Sequence, residues 1–181
     1  MNSIGLIELS SIASGMEAAD MMLKTSQIEL ILSRTICAGK FMILVGGDVA
    51  AVQAAISTAE ANLEHAVIDT FVIPNVHPDI SPAISGNTQV EKLEALGIIE
   101  AFSVASLIEG ADEAVKAANV QIIEIRLAMA LGGKAFCTIT GEVAAVTSAV
   151  EAGSRIISEK GLLVNKVVIP NARQELLTEM V

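Results

Sequence analysis

The chain repeats itself. GLIELSSIASGMEAADMMLK (5–24) returns as GIIEAFSVASLIEGADEAVK (97–116), and GKFMILVGGDVAAV (39–52) returns as GKAFCTITGEVAAV (133–146). VIPN (72–75) then returns as VIPN (168–171). The offsets are 92, 94 and 96 residues and the order is kept, which is the mark of a tandem duplication. Two domains of about 80 to 90 residues follow, an ordinary size for a small domain. The expected division is 1–90 and 91–181, with the connector SPAISGNTQVEKLEA (81–95) carrying the Pro, Ser, Gly and Asn of a link.

Each copy has one coarse pattern. A short strand comes first, over Ile4–Leu9 and again over Gly97–Phe102. A helix follows, opened by Ser14-x-x-Glu17 or Ser106-x-x-Glu109, spaced as a capping box. In the first helix Met16, Ala19 and Leu23 share one face, the expected core face, and Glu17, Asp20 and Lys24 share the other. Two strands come next, over Glu29–Thr35 and Phe41–Val45, then over Gln121–Leu127 and Ala135–Thr140. Asp48 is placed to cap a second helix carrying Val49, Val52, Ile56 and Ala59 at helical spacing. A last strand ends at each VIPN, with a short helix after it. Strand, helix, two strands, helix, strand is the ferredoxin-like layout, an α+β fold with helices on one face of an antiparallel sheet. The fold hosts many unrelated activities, so function must be argued from a site.

Composition narrows the field. The chain is 52% hydrophobic and 18% charged, with a mean hydropathy of +0.62. The longest apolar run near the middle, Phe41 to Gly47, is seven residues, against ~20 for a membrane-spanning helix. No basic segment precedes an apolar stretch in the opening MNSIGLIELS, so no signal peptide is expected and the protein reads as cytosolic. High apolarity without a membrane segment, in domains this small, suggests surface buried against other subunits; a well-filled monomer core rich in Ala, Ile and Val is the alternative. A net charge of −10 with no Trp or Tyr argues against nucleic-acid binding. Two cysteines make no disulfide framework.

The chemistry concentrates in one turn. RTICAGKF (34–41) sets Cys37 between small, flexible residues, with no second ligand nearby in sequence. The equivalent turn of the second copy has no cysteine; Met129 and Ala130 lie near that place, with two extra residues before Gly133-Lys134. If the chain assembles about a three-fold axis, three thiols converge. Converging soft sulfur suits Zn, Cu(I) or an iron–sulfur cluster. Arg34 and Lys40 lie close enough in sequence to favour a thiolate. Cys137, in the β run AFCTI, reads as packing, and His65 and His77 read as ordinary loop or surface histidines.

These residues resemble bacterial microcompartment shell proteins. The likeness is carried by the GxIE strand, the helices ending in ADMMLK and ADEAVK, the G-D/E-V-A-A-V helix start and VIPN, and it covers nearly the whole chain twice. Two domains in one chain resemble the tandem-domain branch, and TICAGKF with the HPDISPAISG linker is closest to the T-type shell proteins of propanediol-utilisation compartments. The resemblance implies a homotrimer that mimics a six-domain tile, a pseudohexamer, in a compartment shell alongside other shell proteins. It implies a centre built from Ile36, Cys37, Ala38 and Gly39 in the first copy and Ala130, Leu131, Gly132 and Gly133 in the second. It also implies one [4Fe-4S] cluster per trimer on the three-fold axis, held by Cys37 of each subunit, for electron transfer or cluster delivery across the shell, with a redox enzyme of lumen or cytosol as partner. Lys24 and Lys116 would lie at tile edges. One departure stands out: many shell proteins carry Arg after the IP of the last strand, where this chain has Asn75 and Asn171.

Two other readings compete. The Cys37 turn could line a metabolite pore without a cluster, or Cys37 could be a nucleophile. A nucleophilic thiol wants an adjacent base, and no catalytic motif accompanies it, so no enzyme is expected.

Overall fold

A computed structural model describes residues 3–180, with side chains to Leu177. The first compact unit runs to Val76 and also takes in Met129–Gly133; the second comprises His77–Ala128 and the chain from Lys134 on. The chain thus passes into the second unit before the expected connector begins.

The first unit is β1 (Ser3–Leu9), α1 (Ile12–Thr25), β2 (Glu29–Ile36), β3 (Lys40–Gly47), α2 (Val49–Asn62) and β4 (Val67–Pro74). The sheet order is β2-β3-β1-β4, antiparallel throughout. The second unit opens with a short helix, α3 (Ile80–Ile84), and then repeats the plan. Its elements are β5 (Ala95–Ala101), α4 (Val104–Ala117), β6 (Gln121–Arg126), β7 (Ala135–Gly141), α5 (Val143–Glu159), β8 (Leu163–Ile169) and α6 (Glu175–Met180). Its order is β6-β7-β5-β8, again antiparallel. The ferredoxin-like expectation holds in both copies.

Three local readings need correction. The N-caps of α1 and α4 are Ser11 and Ser103, which accept from the N–H of Ser14 and Ser106 at 3.3 and 3.1 Å. Ser14 and Ser106 therefore lie inside the first turn. The core face of α1 is Gly15, Ala18 and Met22, whereas Met16 and Leu23 are 61% and 46% exposed. The reason is close packing: a Cβ on Gly15 would lie 2.4 Å from the Phe41 ring, so the narrow stripe seats the helix. The expected connector is not a free link. Its Thr88 hydroxyl donates to the Ile123 carbonyl, and the N–H groups of Leu93 and Glu94 donate to Gln174 and Thr140 at 3.1 and 3.0 Å.

Ile7, Leu9, Ile43 and Val45 join Val52, Ile56 and Ala59 in the first core, under the helices. Asp48 stands at the N-cap of α2 as expected, without a side-chain capping bond.

The helix pair of the second unit crosses closer than side chains allow. A Cβ on Gly153 of α5 would lie 2.4 Å from the Gly110 carbonyl oxygen of α4, a backbone atom that cannot swing aside. The first copy has Ala18 and Ala59 in the equivalent places. Gly153→Ala is expected to cost roughly 1–3 kcal/mol through overpacking. The urea midpoint should fall accordingly, and an unchanged midpoint would show that the helices separate without cost.

Candidate metal centre

Strands β2 and β3 form a tight hairpin. Ile36 pairs with Lys40, leaving Cys37, Ala38 and Gly39 as the turn, and Gly39 closes it at φ +75°, where a side chain is strained. Ile36 is buried, Cys37 half-buried, and Ala38 and Gly39 exposed. The turn thus carries a thiol at its tip with little side-chain bulk beside it. A Cβ at Gly39 would meet nothing within 4 Å.

The second turn is longer. Eight residues separate Arg126 from Ala135, where six separate Arg34 from Phe41. The segment Met129–Gly133 belongs to the first compact unit, and there the Ala130 N–H donates to Cys37 Sγ at 3.2 Å. The turn of the second copy therefore touches Cys37 through backbone, a contact that no side chain in the sequence announces. Met129 itself is 55% exposed.

Lys40 has a different first partner from the one expected. Its ammonium sits on the carboxylate of Glu8, whose side chain is fully buried, while the Lys40 side chain is 16% exposed. The second copy repeats the pair: Lys134 meets Glu100 at 3.3 Å, with both side chains at least 30% exposed. The Gly-Lys and Ile-Glu motifs of the repeat are thus two halves of one ion pair that ties the hairpin to the central strand. The signal was in the sequence, since all four residues recur. Arg34 and Arg126 differ. Arg126 Nε donates to Glu124 at 2.7 Å, whereas Arg34 Nε is buried with no hydrogen-bond partner, and Leu32 stands where the second copy has Glu124.

Cys137 is packing. It faces Ile99 across the sheet, and complete burial pushes its thiol up from 9.0 to about 12. Stability falls as pH rises from 9 towards 12, because the unfolded thiol ionises there and the folded one does not. Thiol titration of the folded, iron-free protein at pH 8 is expected to find one fast cysteine per chain, Cys37, with Cys137 labelled only on unfolding. Two equally fast thiols would contradict this placement.

Among the described residues, no group of three or more His, Cys, Asp and Glu side chains comes together within the chain.

Lys24 and Lys116 end α1 and α4 as expected, in unequal settings. Lys24 pairs with Asp20 in the open, at 74% and 64% side-chain exposure. Lys116 is held at 2.5 Å by Asp112, which is buried and also accepts the His77 N–H at 2.7 Å. Asn75 and Asn171 both adopt left-handed backbone, at φ 55° and 49°. Asn tolerates that conformation better than most residues with a side chain, which accounts for its presence after both IP pairs.

The architecture is a duplicated four-stranded antiparallel sheet with two main helices per copy, a tandem-domain plan. The BMC domain family model matches residues 3–76 and 95–172, and the chain belongs to that family of bacterial microcompartment shell proteins. Over 179 residues it is 46% identical to the bacterial microcompartment shell protein PduT of Citrobacter freundii, covering 99% of this chain and 97% of PduT. The crystal structure of a microcompartment protein from Desulfitobacterium hafniense superposes with a TM-score of 0.86 at 50% identity, over 97% of this chain and 98% of that one. EutM of Salmonella typhimurium is 37% identical over 84 residues, which is 46% of this chain but 85% of EutM. A single-copy relative thus matches about one of the two copies. The protein is a structural component of a microcompartment shell, in the cytoplasm.

Proposed function

We propose that the chain forms a homotrimeric, pseudohexameric shell tile whose centre holds one [4Fe-4S] cluster, ligated by Cys37 of each subunit, to carry electrons across the shell. The observation that bears most weight is the inequality of the two central turns. The first offers a thiol and the second a backbone N–H on that thiol's sulfur. A cyclic trimer then presents three equal sulfurs at one radius. The residues fit such a group: the thiol is half-buried at the tip of a turn, and Cβ atoms at Gly39 and Gly132 would meet nothing within 4 Å. When bound, the cluster supplies one-electron chemistry at a potential set by its charge, hydrogen bonds and solvent exposure. Cys37 supplies the ligand, and small Ala38 and Gly39 leave room beside it.

Exposed apolar surface on α1 favours the trimer. Ile12, Met16 and Leu23 are 39%, 61% and 46% exposed, while their repeat equivalents Val104, Ile108 and Val115 are at most 7% exposed. A face buried in one copy and bare in the other is surface awaiting a neighbouring subunit.

The test is iron and acid-labile sulfide per chain in anaerobically prepared protein, with sedimentation for assembly state. The expected result is a trimer with about four irons and four sulfides. A trimer without iron, even after reconstitution, would leave Cys37 lining a pore.

A further inference from the structure

We infer that Arg34 is a binding site for the carboxylate of a small organic anion, on the face of the first sheet opposite its helices. The inference does not depend on the cluster reading. It starts from a difference between the two copies. In the second, Arg126 Nε donates to the Glu124 carboxylate at 2.7 Å. In the first, Leu32 stands in that glutamate's place, and Arg34 Nε is buried with no hydrogen-bond partner. A buried N–H without an acceptor costs free energy, more so on a charged group, and a bound ion or water is a standard reason for one in a native fold. The second copy supplies the chemistry of the missing group: an oxyanion held by the guanidinium N–H.

The sheet register explains why the first copy offers no acceptor of its own. Arg34 pairs with Met42 of β3, and Met42 with Glu8 of β1, so the three share one face, while Ile7, Leu9, Ile43 and Val45 lie on the other, under the helices. Leu32 and Ile36 flank Arg34 on its own strand, and Leu44 and Lys40 flank Met42. Glu8 is the carboxylate of this set, and the Lys40 ammonium occupies it. Arg34 is therefore a half-buried cation among apolar side chains, on an edge strand that a solute can reach. Ile36, Met42 and Leu44 are at most 4% exposed, and Leu32 is half-buried. In such surroundings a charge-assisted hydrogen bond is stronger than in water. Leu32 gives the ligand's alkyl part an apolar contact where the second copy has charge. The chain has a net charge of −10, so the anion is held by this local contact and is not drawn in by the overall field.

The experiment is arginine modification by phenylglyoxal on the full-length protein in its native assembly, read residue by residue by mass spectrometry. It is run in sodium acetate and in sodium chloride at equal ionic strength. The reagent attacks accessible guanidinium groups, and a bound carboxylate shields them. Acetate should slow the reaction of Arg34 saturably, by roughly ten-fold or more, the factor for one hydrogen bond to a charged group. Arg126, already paired with Glu124, and the exposed Arg155 should not respond. Leu32→Glu, which rebuilds the pair of the second copy, should give the slow rate in chloride and no further response to acetate. If Leu32→Glu does not fold, wild type alone decides, with Arg126 and Arg155 as internal controls. Equal rates for Arg34 in the two salts, both fast, would leave only water at its Nε and overturn the proposal. Slow reaction in both salts would mean that a carboxylate of a neighbouring copy fills the place, which overturns it too. Protection by acetate that persists in full in Leu32→Glu would put the anion elsewhere and rule out the Arg34 site.

Discussion

Cys37→Ser is expected to empty the protein of iron while leaving the tile intact. Each trimer should fall from about four irons to a small residue below about one, and the brown colour and the EPR signal of the reduced protein should vanish. The effect is large because, in the proposed trimer, symmetry makes one codon three ligands, so a single substitution removes all three Cys37 sulfurs at once. Folding should survive. Cys37 is half-buried on a turn tip, so exchanging sulfur for oxygen disturbs no core packing. Cys137→Ser is the contrasting control. It replaces a fully buried thiol within the sheet, so it should lower stability while iron stays at the wild-type level. Iron retained in Cys37→Ser, or lost equally in Cys137→Ser, would contradict the assignment.

Lys40→Met is expected to cost about 3 kcal/mol, the low end for breaking a buried ion pair, because it takes the ammonium from a carboxylate with no solvent to turn to. For a chain of this size that is a fall in Tm of roughly 6–12 °C. Lys134→Met removes the repeat-equivalent cation, but its pair with Glu100 is about a third exposed, so the loss should stay below about 1 kcal/mol. Adding Glu8→Gln to Lys40→Met should recover most of the loss, since no buried charge is then left behind. Equal losses from Lys40→Met and Lys134→Met would mean that burial does not govern these pairs. The same variant bears on the metal site: with Lys40 committed to Glu8, its removal should act on Cys37 through the set of the hairpin.

The fold was legible because the sequence states it twice. Strand and helix order, the sheet plan and the two central turns all follow from residues that recur at matching spacing. Errors arose where one short pattern allowed two answers. Ser11 and Ser14 both satisfy a capping rule, and only backbone geometry selects Ser11. The apolar face of α1 was drawn through Met16 and Leu23 because large side chains dominate a periodicity count. The helix is instead seated by Gly15 and Ala18, whose smallness admits Phe41. At the candidate site, Cys37 stood out as a lone thiol. The pairing of Lys40 with Glu8 spans 32 residues and needs the sheet register to be seen. The Ala130 contact spans 93 residues and runs through a main-chain N–H that every non-proline residue possesses, so no residue type could have announced it.

The unequal lysines have a consequence for assembly at larger scale. In the proposed trimer, with both lysines at tile edges as the resemblance implies, borders bearing Lys24, solvent-exposed in its pair with Asp20, alternate with borders bearing Lys116, held by the buried Asp112 that also accepts the His77 N–H. A hexagon with six like borders fits its neighbours in any of six rotations. One with two kinds of border is keyed, like a jigsaw piece, and turning it by one position presents a different face to the same neighbour. A shell built with such pieces can fix not only where each one sits but which way it is turned.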